Sequence, residues 1–189
     1  MIASILIVLF AYLSGSISTA VWYGRIIHSV DIRKHGSGNA GATNSLRVLG
    51  KKAGVIVLII DFLKGLLPVL LAQYLGFDEL IIALAGFAAV IGHLLPVFSN
   101  FQGGKGVATS MGVIIGILPV GALVCFIVFL IIVTLTKYVS LGSILGAASF
   151  PVFIILSPKI HSVILLIFGI SLALLLVFAN LHHLQCKND

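Results

Sequence analysis

The sequence predicts an all-α integral membrane protein, a bundle of about seven transmembrane helices, on three observations. Of its 189 residues 60% are hydrophobic and 8% charged, with a mean hydropathy of +1.27, far from a soluble domain. Apolar runs near the length needed to cross a bilayer recur along the chain. No stretch between them is long and polar enough to fold as a soluble unit, so residues 1–189 read as a single transmembrane domain, without internal repeats or low-complexity linkers.

The first run, Ile2 to Gly24, has no positive residues before it and is followed by Arg25, Arg33, Lys34, Arg47, Lys51 and Lys52. This pattern predicts a retained helix rather than a cleaved signal peptide. The positive-inside rule places those cations in the cytoplasm and the N-terminus outside. Further apolar segments span Ala53 to Gly76, Leu80 to Phe98, Val107 to Leu118, Val120 to Leu135, Leu141 to Leu156 and Ser162 to Leu181. Asp78 and Glu79 mark an outer connection, and the connection with Lys105 falls inside. Pro119 and Gly121 interrupt the stretch from Val107 to Leu135, which predicts a turn back toward the cytoplasm. Val107 to Leu118 then covers only about 18 Å at 1.5 Å per residue, the length of a half-helix. Lys137 and the serines of "SLGS" return inside, Lys159 lies outside and the tail ends inside.

On this topology four polar stretches share the cytoplasmic face: "HGSGNAGATNSLR" (His35 to Arg47), "GGKG" (Gly103 to Gly106), "SLGS" (Ser140 to Ser143) and "HHLQ" (His182 to Gln185). A glycine-rich loop can aim several backbone N–H groups at one anion, and Lys105 adds a charge. Gly103, Gly104 and Lys105 therefore read either as a phosphate site or as a tight turn with a positive-inside anchor. Ser99 and Gly106 stand where a Walker A loop needs glycine and Ser or Thr, so nucleotide hydrolysis is disfavoured. Ser37, Asn39, Thr43, Asn44 and Arg47 set five hydrogen-bonding side chains among Gly36, Gly38 and Gly41. Arg47 can grip a phosphate bidentately; an ordinary turn-rich solvated loop is the alternative.

Asp61 and Lys64 lie three apart in an apolar helix, on one face, where charges need a partner. They read as a mutual pair beneath the site. His93, in "GHLLP", stands just before the glycine loop, as a base or phosphate donor or else as a histidine bonded to backbone. No Cys, His and carboxylate set indicates a metal, and no GxSxG elbow indicates a hydrolase. Cys125 and Cys186 form no redox or metal spacing.

The segments "GSIST", "GSGNAGATNSLRVLGKKAG", "DFLKG", "GHLLPVFSNFQGGKGVATSMG" and "YVSLGS" closely resemble, in order and spacing, the bacterial acyl-phosphate-dependent glycerol-3-phosphate acyltransferase family, over about residues 10 to 145. The resemblance implies a seven-helix inner-membrane enzyme. Such an enzyme transfers a fatty acyl group from acyl phosphate to glycerol 3-phosphate and opens phospholipid synthesis by forming lysophosphatidic acid and inorganic phosphate. It implies no cofactor, metal or nucleic acid, and no oligomeric state. By motif, Ser37 and Arg47 become substrate-binding, Lys105 the phosphate-binding lysine and Ser143 the serine of the third motif. Asn39, Thr43, Asn44, Gly103, Gly104, Ser140 and His182 join them as candidate contacts, with His93, Lys105 and Ser143 as candidate catalytic groups. Three departures stand out: Ser18 replaces a usual proline, Gln102 replaces a usual lysine, and "FANLHHLQCKND" replaces a basic tail of the form HRxNIxRL. Two other classes remain open, an inactive paralogue that binds lipid phosphate and a transporter of a small phosphorylated solute.

Overall fold

The computed structural model describes residues 1–157, 160 and 162–185, the last five as backbone only. Among these residues the chain forms nine α-helices, two short 3-10 turns and no strand. The helices are α1 (Ile2–Gly15), α2 (Thr19–His28), α3 (Ala42–Leu49), α4 (Lys51–Tyr74), α5 (Glu79–Leu94), α6 (Val107–Ile117), α7 (Pro119–Thr136), α8 (Val139–Leu156) and α9 (Val163–Gln185). Five are long and apolar enough to cross a membrane alone, and the bent pair α1–α2 makes a sixth span. Their outward faces carry Leu67, Leu123, Ile155 and Leu174, each more than half exposed. An aqueous surface would not tolerate so much apolar area, whereas hydrocarbon requires it.

The expectation of one continuous first helix is corrected. It breaks at Ser16–Ser18 and resumes at an angle of 43°, then continues four residues past Gly24. Glycine and two serines at the break weaken the helical ladder. The Ile17 carbonyl there accepts from the Thr19 amide at 3.0 Å and from Lys64 Nζ at 2.7 Å. The Leu80–Phe98 segment also ends earlier than expected, at Leu94, and a 3-10 turn over Val97–Ser99 follows Pro96. Asp78 caps α5 by accepting from the Ile81 amide at 2.9 Å, with Glu79 in the first turn where the helix dipole favours a negative charge.

The hairpin expected at Pro119 is present. Leu118 is extended (φ −147°) and Pro119 opens α7, where its missing N–H and fixed φ suit a helix start. α6 has 11 residues, about 16 Å of helix, so it dips into the bundle without crossing it. It lies along α4 at a separation that only glycine permits. A Cβ on Gly65 would overlap the Thr109 carbonyl oxygen, and one on Gly112 that of Phe62. This close approach of small residues is the usual way helices gain packing where lipid removes the hydrophobic driving force. α1 packs on α5, α7 on α8 and α8 on α9, around a core that includes Val90, Val113, Phe150, Phe168 and Leu172. The rings of Phe150 and Phe168 meet edge to face at 6.3 Å.

Candidate active site

The two connections and helix ends named from the sequence converge at one end of the bundle. Lys105 Nζ donates to Ser140 Oγ at 3.0 Å, which closes the α6–α7 hairpin and brings the glycine loop against the start of α8. Ser143 Oγ, one turn on, donates to the Ser140 carbonyl at 2.8 Å and lies 3.5 Å from Asn180 Nδ2 on α9. At the opposite end, Ser162 Oγ donates to Glu79 at 2.7 Å.

The first loop is built around Asn44, which is fully buried. Its Oδ1 accepts from the Ser37 amide at 2.9 Å, and its Nδ2 donates to the carbonyls of Ile32 at 3.1 Å and His35 at 2.9 Å. Asn44 thus shapes the loop and leaves Ser37, half-buried, at its rim. The loop is not wholly irregular, contrary to the sequence reading: residues from Ala42 form α3, with Thr43 and Arg47 one turn apart and exposed. Arg47 makes no hydrogen bond or ion pair among the described residues, so its guanidinium fork is available. Asn39 carries a buried Oδ1 without a partner there.

Two features tie the first loop to the glycine loop. Arg33 binds Asp31 through both carboxylate oxygens, at 3.0 and 2.8 Å, and donates to the Ser99 carbonyl at 3.0 Å. The Arg33 hydrogen bond, with help from Arg25, holds the Asp31 carboxyl well below the usual carboxylate range. The Ala40 carbonyl lies against Gly104, where a Cβ would collide with it. Gly104 donates back to the His93 carbonyl at 3.2 Å, and Gly106 takes a left-handed φ of 79° before α6.

A narrow apolar crevice opens beside Ser143 and runs between α6, α7, α8 and α9 past Met111, Ile114, Cys125 and Phe129. Ser143 in its lining is one turn from Ser140, which Lys105 reaches, so a cation and hydroxyl groups lie beside this apolar lining. Among the described residues no group of three or more His, Cys, Asp or Glu could hold a metal.

The sequence profile described as glycerol-3-phosphate acyltransferase matches residues 5–187. The chain belongs to the glycerol-3-phosphate acyltransferase family. A glycerol-3-phosphate acyltransferase of Geotalea daltonii is 42% identical over 185 residues, covering 98% of this chain and 94% of its own. One from Trichlorobacter lovleyi is 46% identical over 173 residues, covering 92% and 87%. The crystal structure of PlsY (YgiH), an integral membrane glycerol 3-phosphate acyltransferase, in its glycerol 3-phosphate form matches with a TM-score of 0.86 at 40% identity, over 99% of this chain and 94% of that one. Its lysophosphatidic acid form matches with a TM-score of 0.83.

Within this family fold, Gly103, Gly104, Lys105, Ser140 and Ser143 come together, and the first loop reaches them through Asn39 to Gly41. His93 is 6% exposed and lies beneath the glycine loop rather than open at the site. His182 sits on α9, but its side chain is outside the described residues, as are Lys159 and Cys186. The residue missed is Asn180. It is fully buried, bonds the Leu176 carbonyl at 2.8 Å and leaves its Oδ1 unpaired among the described residues. An amide inside an apolar helix was the available signal, since intramembrane polar groups are costly and tend to be functional.

Proposed function

We propose that this chain transfers a fatty acyl group from acyl phosphate to glycerol 3-phosphate, yielding lysophosphatidic acid and inorganic phosphate, at the cytoplasmic face of the inner membrane. The observation that carries this reading is the Lys105–Ser140 contact of 3.0 Å. It sets a cation and two serines beside the apolar lining that includes Ser143. Both substrates are phosphate anions and the donor brings an acyl tail, so one site offers what each requires.

In this reading the donor phosphate rests on the glycine loop and Lys105, with Ser143 and Asn180 beside the reacting carbonyl and the acyl chain left in the surrounding hydrocarbon. Arg47 and Ser37 bind the acceptor phosphate. The glycerol hydroxyl oxygen attacks the acyl carbonyl carbon, the bond from that carbon to the phosphate oxygen breaks, and phosphate leaves with the electron pair. The hydroxyl proton passes to a phosphate oxygen. The burial of His93 favours that acceptor over the imidazole, since the ring is covered by the loop. A mixed anhydride carries a good leaving group, so alignment and neutralisation of phosphate charge supply the catalysis without a covalent acyl-enzyme.

Purified protein given acyl phosphate should release inorganic phosphate only when glycerol 3-phosphate is present, matched by lysophosphatidic acid. Lys105→Ala and Arg47→Ala should each lower kcat/KM on the order of 100-fold or more. Full activity in both variants would overturn the site assignment. No turnover by folded protein would favour an inactive paralogue.

A further inference from the structure

A buried polar cluster lies below the site, and the acyl-transfer chemistry leaves it unused. Asp61 and Lys64, with side chains 2% and 4% exposed, pair at 2.9 Å. Thr19 Oγ1 donates to Asp61 Oδ1 at 2.9 Å, while Lys64 Nζ also reaches the Ile17 carbonyl in the α1–α2 break at 2.7 Å. His93 Nδ1 stands 3.8 Å from the same Asp61 oxygen and 3.2 Å from Thr109 Oγ1. Thr19 thereby ties α2 to α4, and Thr109 ties α6 to α5, with the two pairs side by side.

Mutual satisfaction explains why the cluster survives burial. It does not explain why the far edge of the imidazole lies against the phosphate loop. His93 Nε2 occupies the space that a Cβ on Gly104 would need, and the Ala40 carbonyl occupies the other side. Gly104 is therefore wedged between His93 below and the first loop beside it. A glycine loop has little conformational preference of its own, so its position is set by what it rests on.

We propose that His93 and Thr109 are positioning residues. Thr109 fixes the imidazole through Nδ1, and the imidazole fixes the height at which Gly104 and Lys105 meet a phosphate group. The proposal rests on the reading above only for the source of that phosphate. A displaced cradle meets the anion with longer, poorer charge-assisted hydrogen bonds and so binds it more weakly. A merely structural cluster would act differently: its loss would reduce the folded, active fraction and leave the anion affinity of the surviving molecules unchanged.

The test uses the full-length protein in detergent and its Thr109→Val, Thr109→Ser and His93→Gln variants. Inorganic phosphate binding is titrated by calorimetry, and KM, kcat and the thermal midpoint are measured alongside. Thr109→Val keeps shape and loses the hydroxyl. It should raise the phosphate Kd and the KM for acyl phosphate together, on the order of tenfold, with kcat changed less than about threefold. Thr109→Ser should restore both at the same thermal midpoint. His93→Gln should weaken phosphate binding in the same direction, and it carries the test if Thr109→Val does not fold. Unchanged Kd in folded Thr109→Val and His93→Gln overturns the proposal, as does an equal loss in Thr109→Ser. Phosphate binding is read without acyl transfer, so wild-type protein that binds phosphate yet turns nothing over counts against the acyl-transfer reading alone.

Discussion

Asn180 and Asn44 are two buried amides with opposite economies. Asn44 uses both its atoms on the first loop, whereas Asn180 leaves Oδ1 unpaired among the described residues. An unpaired buried acceptor costs about 1–3 kcal/mol, so a ligand hydroxyl that completes it gains correspondingly. Asn180→Leu should lower kcat/KM on the order of 100-fold while leaving the thermal midpoint unchanged or raised; a midpoint that falls with activity retained would mark Asn180 as a packing residue. Asp31 yields a pH prediction. Its folded-state pKa is depressed by the Arg33 hydrogen bond, so its contribution to stability is present above the unfolded pKa and is lost as pH falls from about 4 through the folded value. Acid unfolding followed by fluorescence of Trp22, the only tryptophan, should show less stability loss below about pH 4 in Asp31→Asn than in the parent.

Among the elements, the short α6 determines most about the site, because the glycine loop ends where it begins. Its seat on α4 depends on Gly112, where a Cβ would overlap the Phe62 carbonyl. Gly112→Ala should therefore destabilise the protein by roughly 1–3 kcal/mol despite the better helix propensity of alanine. A raised thermal midpoint in detergent would show that α4 and α6 can separate freely. The α1–α2 break works in the other direction: it is open backbone within a span, made tolerable because Lys64 reaches the Ile17 carbonyl at 2.7 Å.

Across the whole molecule, every polar stretch that carries the site lies at one end, and the acidic connection with Asp78 and Glu79 lies at the other. The six cations between Arg25 and Lys52 predict, by the positive-inside rule, that this polar end faces the cytoplasm. In a background with Cys125 and Cys186 replaced by serine, Phe77→Cys should react with an impermeant maleimide in intact cells, and Ser37→Cys only after permeabilisation. The reverse pattern would invert the topology. The apolar crevice lined by Ser143 begins one turn from Ser140, which Lys105 reaches from the glycine loop, so polar groups and apolar lining adjoin within one end of the bundle.

Much of this was legible in the chain before folding. The sequence by itself determined a membrane-spanning helical protein, because hydropathy over about 20 residues is a local quantity. It also determined the Asp61–Lys64 pair, because spacing of three puts both on one helix face, and the resemblance of its motifs picked out Lys105, Ser143 and Arg47. The break at Ser16–Ser18 was only partly legible: a glycine and two serines weaken the ladder locally, but the lysine that bonds the Ile17 carbonyl lies 47 positions away in sequence. The helix α3 was not legible, since its start lies among glycine and asparagine residues that read as loop. Only the tertiary structure decided that Lys105 meets Ser140 across 35 positions, that Asn180 faces Ser143 across 37, and that His93 lies under Gly104 rather than in the open site. Those relations depend on how close two helices can pack, and that is settled by pairs of small and large side chains far apart in the chain.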